Sequence, residues 1–357
     1  MTKEVLYDLG EEAIELLKKL IAIPSYSREE DRTAQTLFDF LSAKAVKVER
    51  HLNNVYAFNK YYDTSKPTIL LNSHHDTVKP TPGYTKDPFN AELVDGKLYG
   101  LGSNDAGGPL VSLIAAFLYF YNEPGLKYNL IIASTAEEEV SGSNGIEALL
   151  KLLPAIDCAI VGEPTQMKMA IAEKGLMVLD AKASGIAGHA ARGEGVNAIY
   201  LAADDINWFR EYRFDKVSDL LGPVKMTLTS IETINKAHNV VPAECSFIVD
   251  VRINEHYTHK EVLDIIRTQV KSEITPRSTR LKSSSISKDH PLVKAGINIG
   301  LETFGSSTLS DCALLNVPAL KLGPGDSARS HTADEYIYIA EIRKGIEVYA
   351  ELLNQLL

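Results

Sequence analysis

The first half of the chain alternates short apolar runs with amphipathic stretches. Helical spacing of apolar residues predicts helices over residues 6–21 and 108–121. Continuous apolar runs of the kind found in buried strands are predicted to form strands at residues 54–58, 68–73, 129–135 and 158–161. Strands that alternate with helices predict an α/β domain with a mostly parallel central sheet.

Two further helices are predicted in this half of the chain. Ser27 and Glu30 have the spacing of a capping box, which predicts that a helix begins there and runs to about residue 42. A second helical pattern covers residues 144–153.

The pattern changes after Pro164. Strands are predicted at 176–184, 225–233, 245–253 and 279–284, and helices at 196–212 and 260–274. The resulting order of strand, helix, two strands, helix and strand is that of a ferredoxin-like α+β domain. The α/β pattern then resumes with helices at 291–304 and from 339 onward, and with a strand at 319–322.

These patterns predict two domains, one inside the other. A discontinuous α/β domain spans residues 1–167 and 285–357, and a smaller α+β domain is inserted at residues 168–284. A chain of 357 residues is long enough for two ordinary domains.

Composition excludes several classes of protein. The chain has 37 Lys and Arg against 47 Asp and Glu, a net charge of -10, and no long basic run, so we expect no nucleic-acid partner. The longest apolar run, about a dozen residues, is too short to cross a bilayer. The first residues lack a signal-peptide pattern, and Cys158, Cys245 and Cys312 are typical of buried thiols, so we expect a cytoplasmic protein without a membrane partner.

Histidine and carboxylate side chains follow several predicted strands. His74 and Asp76 end the strand at 68–73, and in an extended chain they face the same side. A metal-binding imidazole usually has a hydrogen-bond acceptor on its second ring nitrogen, which Asp76 could provide. Asp105 follows a glycine-rich segment and precedes a helix. Taken alone, a polar strand end or a helix cap would explain each of these residues.

Carboxylates also follow the next two strands. Three consecutive glutamates, 137–139, follow the strand at 129–135, and Glu163 follows the strand at 158–161. Adjacent carboxylates repel one another, and a divalent cation would offset that repulsion. Later, a strand ends in the loop from Gly323 to Gly325, which leads to His331.

The common position of these residues favours a single site. All of them follow predicted strands of the α/β domain, and ligands of open α/β sheets bind beyond the carboxyl ends of the strands. Histidine and carboxylate ligands suit two zinc ions, with cobalt or manganese as alternatives. Neighbouring carboxylates in such sites serve as metal ligand and general base.

The chain resembles the M20 family of co-catalytic metallopeptidases and deacylases. The resemblance covers essentially the whole chain, and the motifs occur in family order: His-x-Asp at 74–76, Gly-x-Gly-x-x-Asp at 100–105, Glu-Glu at 138–139, Gly-Glu-Pro-Thr at 162–165 and the late histidine at 331. The fold that the resemblance implies is a zinc-peptidase-type catalytic domain with an inserted lid or dimerisation domain.

The resemblance implies a role for each residue. His74 and Glu163 would bind one metal ion, Glu139 and His331 the other, and Asp105 would bridge them. Asp76 would orient His74, and Glu138 would be the general base. The resemblance also implies a cis peptide bond between Asp105 and Ala106.

The resemblance extends to the inserted domain. His189 would help to stabilise the oxyanion, commonly in the partner subunit's site, and Asn239 and Arg252 would contact the substrate. Backbone amides of Gly323 and Gly325 would meet a substrate carboxylate. The inserted domain would also supply the contact surface of a homodimer.

Departures from the family pattern bear on the substrate. Gly107 and Gly108 replace the usual Lys-Gly, Gly193 replaces a frequent proline, and Tyr84 stands where a tryptophan is common. The ending of the chain looks most like acetylornithine deacetylase, so we expect a small-molecule N-acyl amino acid of arginine biosynthesis, such as N-acetyl- or N-succinyl-ornithine or -citrulline, as the substrate. The alternatives are succinyl-diaminopimelate desuccinylase, a di- or tripeptidase or carboxypeptidase, and a non-catalytic binding protein, which would usually have lost a ligand or the base.

Overall fold

The computed structural model describes residues 3–357, which form two compact units. Unit 1 comprises the described residues through Ile171 together with Ser285–Phe304 and Ser310–Leu357, and unit 2 comprises Ala172–Ser284 and Gly305–Leu309. The sequence pattern did not reveal the short second segment of unit 2. Residues 1 and 2 of the predicted α/β domain lie outside the described residues.

The helices and strands have the following bounds. The helices are α1 (Lys3–Ile21), α2 (Asp31–Ala43), α3 (Gly108–Phe120), α4 (Ile146–Leu149), α5 (Ala198–Glu211), α6 (His259–Gln269), α7 (Pro291–Asn298) and α8 (Ile339–Asn354). The strands are β1 (Val48–His51), β2 (Asn54–Phe58), β3 (Thr68–His74), β4 (Glu92–Val94), β5 (Lys97–Tyr99), β6 (Asn129–Thr135), β7 (Cys158–Val161), β8 (Met169–Glu173), β9 (Gly175–Ser184), β10 (Gly188–His189), β11 (Lys225–Glu232), β12 (Val240–Val241), β13 (Glu244–Ile253), β14 (Glu273–Pro276), β15 (Ser284–Ser285), β16 (Thr303–Ser306), β17 (Ala319–Lys321) and β18 (Tyr336–Tyr338).

The main sheet has the order β1-β2-β6-β3-β7-β17-β8-β15, and β16 also pairs with β8. Its centre, β6-β3-β7-β17, is parallel, and β2 and β8 flank it in antiparallel orientation. Every residue of β3 and β6 is buried, as expected for strands covered on both faces. The apolar helix α3 packs against α1 and α8. The predicted α/β class with a mostly parallel sheet centre is confirmed.

A small antiparallel sheet with the order β18-β5-β4 also belongs to unit 1. Tyr336 pairs with Tyr99, and the amide of Gly100 donates to the carbonyl of Glu335 at 3.0 Å. This pairing joins the segment that leads to Asp105 with the segment that follows His331.

Unit 2 contains an antiparallel sheet with the order β11-β13-β9-β14. Burial alternates along β9 and β13, so every second side chain enters the core with Phe209 of α5 and Ile266 of α6. The predicted succession of strand, helix, two strands, helix and strand is confirmed.

Several predicted boundaries are wrong for identifiable reasons. The helix predicted at 260–274 ends at Gln269, because the buried carboxylate of Asp205 accepts the amides of Lys271 and Ser272. The next strand is therefore β14, well before the predicted strand at 279–284. The helix predicted at 144–153 is reduced to α4, and the one predicted at 291–304 ends at Asn298, with β16 after it.

The predicted capping box is also wrong. Glu30 occupies the N-cap position of α2 without a side-chain cap, and the hydroxyl of Ser27 donates to Asp76 instead. All three cysteines are buried. Among the described helices, none has the length and apolar character needed to cross a membrane.

Candidate metal centre

Four of the predicted site residues lie at one edge of the main sheet. His74 is the last residue of β3, Glu138 and Glu139 follow β6, and Glu163 follows β7. These three strands are parallel neighbours, so their carboxyl ends meet at the same edge. This is the edge at which open α/β sheets bind ligands.

Asp105 and His331 are brought to the same place by loops. Asp105 follows β5 of the small sheet, which belongs to unit 1 but which the sequence pattern did not predict as a strand. The peptide bond between Asp105 and Ala106 is cis, as predicted. His331 lies in the loop between β17 and β18 and has a positive φ of 59°.

The two carboxylate oxygens of Asp105 face different histidines. Nε2 of His74 lies 3.3 Å from Oδ1 of Asp105 and 3.7 Å from Oε1 of Glu163. Nε2 of His331 lies 3.7 Å from Oδ2 of Asp105 and 3.0 Å from Oε2 of Glu139. The arrangement has two halves, one around each imidazole, with Asp105 between them.

Glu138 lies at the edge of the first half. Its Oε2 is 4.0 Å from Nε2 of His74, and ligand atoms of His74, Glu138 and Glu163 all lie within 4.8 Å of one another. Burial raises the pKa of Glu138 well above its usual range, and the charges of Glu163 and Asp311 add to this rise against the opposing effect of His74. Glu139, by contrast, faces His331 and groups with His74 and Asp105.

Asp76 supports both halves of the arrangement. Nδ1 of His74 lies 3.0 Å from the backbone carbonyl oxygen of Asp76 and 3.4 Å from its Oδ1. The Asp76 carboxylate also accepts the amides of Glu138 at 3.1 Å and Glu139 at 3.2 Å, and the hydroxyl of Ser27 at 2.7 Å. Asp76 therefore holds the turn that carries Glu138 and Glu139, a role that its sequence position alone does not indicate.

The contact between His74 and Asp76 affects the pKa values of both side chains. Burial opposes the charged form of His74, but its contacts with Asp105 and Asp76 outweigh this and raise the pKa of His74. Burial likewise opposes the charged form of Asp76, but the contact with His74 outweighs it and lowers the pKa of Asp76. Asp76 is therefore a carboxylate at neutral pH.

Sequence reasoning missed two buried acids near the site. Asp311 accepts the side-chain amide of Asn72 at 2.7 Å and the hydroxyl of Thr135 at 2.9 Å, and burial raises the pKa of Asp311 to about 6. Glu335 binds the loop that contains Asp105. Asp311 follows no predicted strand. For Glu335 the available signal was its position four residues after His331.

The donor set fits a pair of divalent cations. Two imidazoles and four carboxylates converge within hydrogen-bonding or slightly longer distances, and these are ligands that zinc, cobalt and manganese accept. Besides burial, the charges of Glu163, Asp311 and Glu139 raise the pKa of Glu138, and these charges are the electrostatic cost of placing carboxylates together. Cations between them would offset that cost.

The predicted residues of the inserted domain lie in unit 2. His189 pairs with Val240 across β10 and β12, the amide of Ala190 donates to the carbonyl of Asn239, and His189 is exposed, so His189 and Asn239 lie close together. Arg252, on β13, donates to its neighbour Asp250 at 2.8 Å.

Gly323 and Gly325 lie in unit 1, next to the loop that follows Glu163. The amide of Gly323 donates to the hydroxyl of Thr165 at 3.0 Å, so this amide is engaged within the protein. Gly325 has a φ of 93°, and a Cβ there would lie 2.5 Å from the side-chain oxygen of Asn104. Only glycine fits this position without strain.

A mostly parallel α/β sheet with histidines and carboxylates clustered beyond its carboxyl edge is the arrangement of an α/β protein with a candidate site for divalent cations. The chain belongs to the family described as Peptidase family M20/M25/M40, whose model matches residues 70–355. A similar protein is succinyl-diaminopimelate desuccinylase 2 from Ruegeria sp. (strain TM1040), 27% identical over 96% of this chain and 94% of that protein.

Solved structures of related proteins have the same fold. Aminopeptidase PepT from Bacillus cereus superposes with a TM-score of 0.78 at 17% identity, covering 97% of this chain and 98% of that chain. The Bacillus subtilis YXEP protein, a dinuclear metal binding peptidase from the M20 family, superposes with a TM-score of 0.74 at 14% identity, covering 97% and 98%.

Proposed function

We propose that the protein is a two-metal N-acyl amino acid hydrolase that removes a succinyl group, with N-succinyl-diaminopimelate as the first candidate substrate. The site geometry supports amide hydrolysis, and the similarity to a desuccinylase over 96% of the chain supports the succinyl group. The sequence favoured N-acetylornithine as the substrate, whereas the comparison favours the first alternative, succinyl-diaminopimelate desuccinylase. The acetylated amino acids therefore become the competing substrates.

Five residues would hold the metal ions. His74 and Glu163 would bind one ion, Glu139 and His331 the other, and Asp105 would contribute one oxygen to each, as the orientation of its two oxygens supports. When bound, two divalent ions polarise an amide carbonyl and acidify water in the site. Zinc is our first expectation, with cobalt or manganese as alternatives.

Glu138 would act as the general base. It is adjacent to Glu139 in one turn and faces the same imidazole as Glu163, without the contact to His331 that Glu139 makes. Its carboxylate would take a proton from the attacking water and then give that proton to the leaving amine. Burial raises the pKa of Glu138, the direction that strengthens a base, although bound cations would act in the opposite direction.

Residues outside the metal ligands would recognise the substrate. We propose that His189 stabilises the oxyanion and that Asn239 and Arg252 contact the substrate, because a histidine and a guanidinium suit anionic oxygens. The adjacency of His189 and Asn239 within unit 2 supports a joint role. Gly323 and Gly325 would shape the substrate side of the loop after β17.

We also propose a homodimer through unit 2. β11 is an edge strand of its sheet, and Ile231 on that strand is 51% exposed. On α5, Ile199 and Tyr200 are 37% and 71% exposed. A sheet edge beside exposed apolar side chains is the kind of surface that pairs with another chain.

A substrate panel tests the proposed reaction. Metal-loaded protein is assayed with N-succinyl-diaminopimelate, N-acetylornithine, N-acetylcitrulline, their succinyl analogues and a few dipeptides, the last because solved relatives are named peptidases. We expect the highest kcat/KM with N-succinyl-diaminopimelate. Chelation should remove the activity, and two equivalents of zinc should restore it.

Controls separate the possible results of this panel. The Glu138→Gln variant, prepared identically, reveals any contaminating hydrolase. A preference for an acetylated amino acid would overturn the succinyl specificity and leave the hydrolase class intact. Protein that binds two metal ions but hydrolyses none of the compounds would overturn the enzymatic proposal and favour a binding protein.

A further inference from the structure

Glu335 is a buried acid whose carboxylate binds the Asp105 loop. Its side chain is 2% exposed. Oε1 accepts the backbone amides of Asn104 at 2.8 Å and Asp105 at 2.9 Å, and Oε2 accepts the amide of Gly102 at 3.1 Å. One carboxylate therefore engages three amides in the four residues that end at the bridging ligand.

The small sheet explains how Glu335 reaches this loop. Glu335 immediately precedes β18, and its carbonyl accepts the amide of Gly100, directly after β5. Side chains alternate along a strand, so Glu335 points to the same side as Ile337. Ile337 faces the segment that follows Asp105, because a Cβ on Gly108 would lie only 2.2 Å from Cδ1 of Ile337. Glu335 therefore faces the Asp105 segment as well.

Glu335 also lies on the segment that carries His331. Three residues separate the two, and one of them, Asp334, anchors the segment by accepting the amides of Thr85 at 2.8 Å and Lys86 at 3.0 Å. Asn104 adds a second link, because its side-chain amide donates to the carbonyl of Asp326 at 3.0 Å. The loops of Asp105 and His331 are thus joined through Glu335 and Asn104.

We propose that Glu335 is a positioning residue for the metal pair. Its carboxyl group fixes the backbone of Asp105 relative to the His331 segment, so that the two oxygens of Asp105 face both imidazoles. The proposal rests on the proposed two-metal function. It predicts that loss of Glu335 weakens chiefly the ion held by Asp105, Glu139 and His331, because two of those three ligands depend on the contact. The ion held by His74 and Glu163 depends on it through Asp105 alone.

The contact with the three amides requires two acceptor oxygens, and the carboxyl group of Glu335 provides them whether or not it is protonated. Burial, and then the charge of Asp105, raise the pKa of Glu335 to about 8, and the three amides oppose this rise. Both oxygens of a carboxyl group keep a lone pair whether or not a proton is bound. The amide nitrogen of glutamine has none available, so Glu335→Gln places an N–H group against at least one backbone N–H.

The experiment measures metal binding by Glu335→Gln, with Asp205→Asn as the matched control. Asp205 is likewise a buried carboxylate that accepts backbone amides, but those amides belong to Lys271 and Ser272 of unit 2 instead of the Asp105 loop. Each protein is stripped with chelator and titrated with zinc against a chromophoric chelator. Cobalt-loaded samples give visible absorption spectra that report ligand geometry. The melting temperature of each stripped protein is recorded separately.

We expect Glu335→Gln to bind one metal ion about 10- to 100-fold more weakly, the loss typical when a partner of a metal ligand is removed, with a changed cobalt spectrum. Asp205→Asn should match the wild type in both affinity and spectrum. Wild-type affinity and spectrum for Glu335→Gln, with or without a lower melting temperature, would overturn the proposal, because a purely structural role lowers stability alone.

A second variant covers the case in which Glu335→Gln does not fold. Glu335→Asp keeps the acid but is one methylene shorter, so it cannot reach all three amides, and we expect the same selective loss of one ion. Wild-type affinity for this variant would overturn the proposal. A wild-type protein that binds no metal would instead overturn the proposed two-metal function, so the two failures are distinguishable.

Discussion

The substitution Asp76→Asn tests whether one buried carboxylate supports both the first histidine and the catalytic turn. In the wild type, Oδ1 accepts the amide of Glu138, and Oδ2 accepts the amide of Glu139 and the hydroxyl of Ser27. Asparagine offers only one oxygen. Whichever way its side chain is oriented, at least one of the two amides faces an NH2 group.

The structure sets the size of the effect. A buried amide left without an acceptor costs about 1–3 kcal/mol, so the stripped variant should melt at a lower temperature. To recover the lost bond, the turn must shift, and a catalytic group misplaced by about 1 Å loses about 100-fold in rate. Since Asp76 also contacts Nδ1 of His74, metal affinity should fall by about 10- to 100-fold.

The assay compares Asp76→Asn with Ser27→Ala. The second variant removes one donor from the same carboxylate and leaves both amides their acceptors. Melting temperature without metal, zinc affinity by chelator competition, and kcat with saturating zinc are measured for both. If Asp76→Asn keeps the wild-type kcat and zinc affinity, the carboxylate does not hold the turn, and the reasoning from its hydrogen bonds is refuted.

Two further predictions concern the base and the assembly. Glu138→Gln should retain both metal ions by atomic absorption and lose about 10²- to 10⁴-fold in kcat, the usual contribution of a general base, and a fully metal-loaded variant with wild-type turnover would contradict that role. Light scattering should find a dimer that Tyr200→Asp converts to a monomer and that Tyr61→Asp, which changes an exposed tyrosine in unit 1, leaves intact. A monomeric wild type would contradict the proposed dimer.

Strands that are buried along their whole length were predictable from sequence. β6 and β7 match the predicted strands residue for residue, and β3 extends the prediction by one residue, because their apolar runs are continuous. The boundaries of α6 and α2 were not predictable in this way. Asp205 ends the first of these helices, and Asp76 takes the hydroxyl of Ser27 that was expected to cap the second. Both acids are remote in sequence from the residues they bind.

The same distinction applies to the candidate site. His74, Glu139 and Glu163 were predictable because each lies at or shortly after the end of a core strand, and His331 because its loop follows the strand predicted at 319–322. The support of Asp105 was not predictable, because it depends on the pairing of β5 with β18. Two strands of three residues carry too short a pattern to reveal that pairing.

The buried acids of unit 1 differ in what faces their oxygens. Around Asp105, Glu139 and Glu163, imidazole nitrogens lie opposite the carboxylates, an arrangement suited to cations. Around Glu335, backbone amides lie opposite the carboxyl group, and around Asp76 two backbone amides lie there in addition to Nδ1 of His74. An amide dipole stabilises a carboxylate without any cation.

This difference bears on when the site forms. The anchoring bonds of Asp76 and Glu335 join backbone to side chain and need no metal, so the loops of Glu139 and Asp105 are held in place by the fold itself. The carboxylates of the site are thereby brought together, and the charge of Glu163 adds to the burial that raises the pKa of Glu138. A site ordered in advance in this way binds cations with little loss of conformational entropy. The acidic residues of the chain therefore include anchors of the loops, such as Asp76, as well as the proposed ligands themselves.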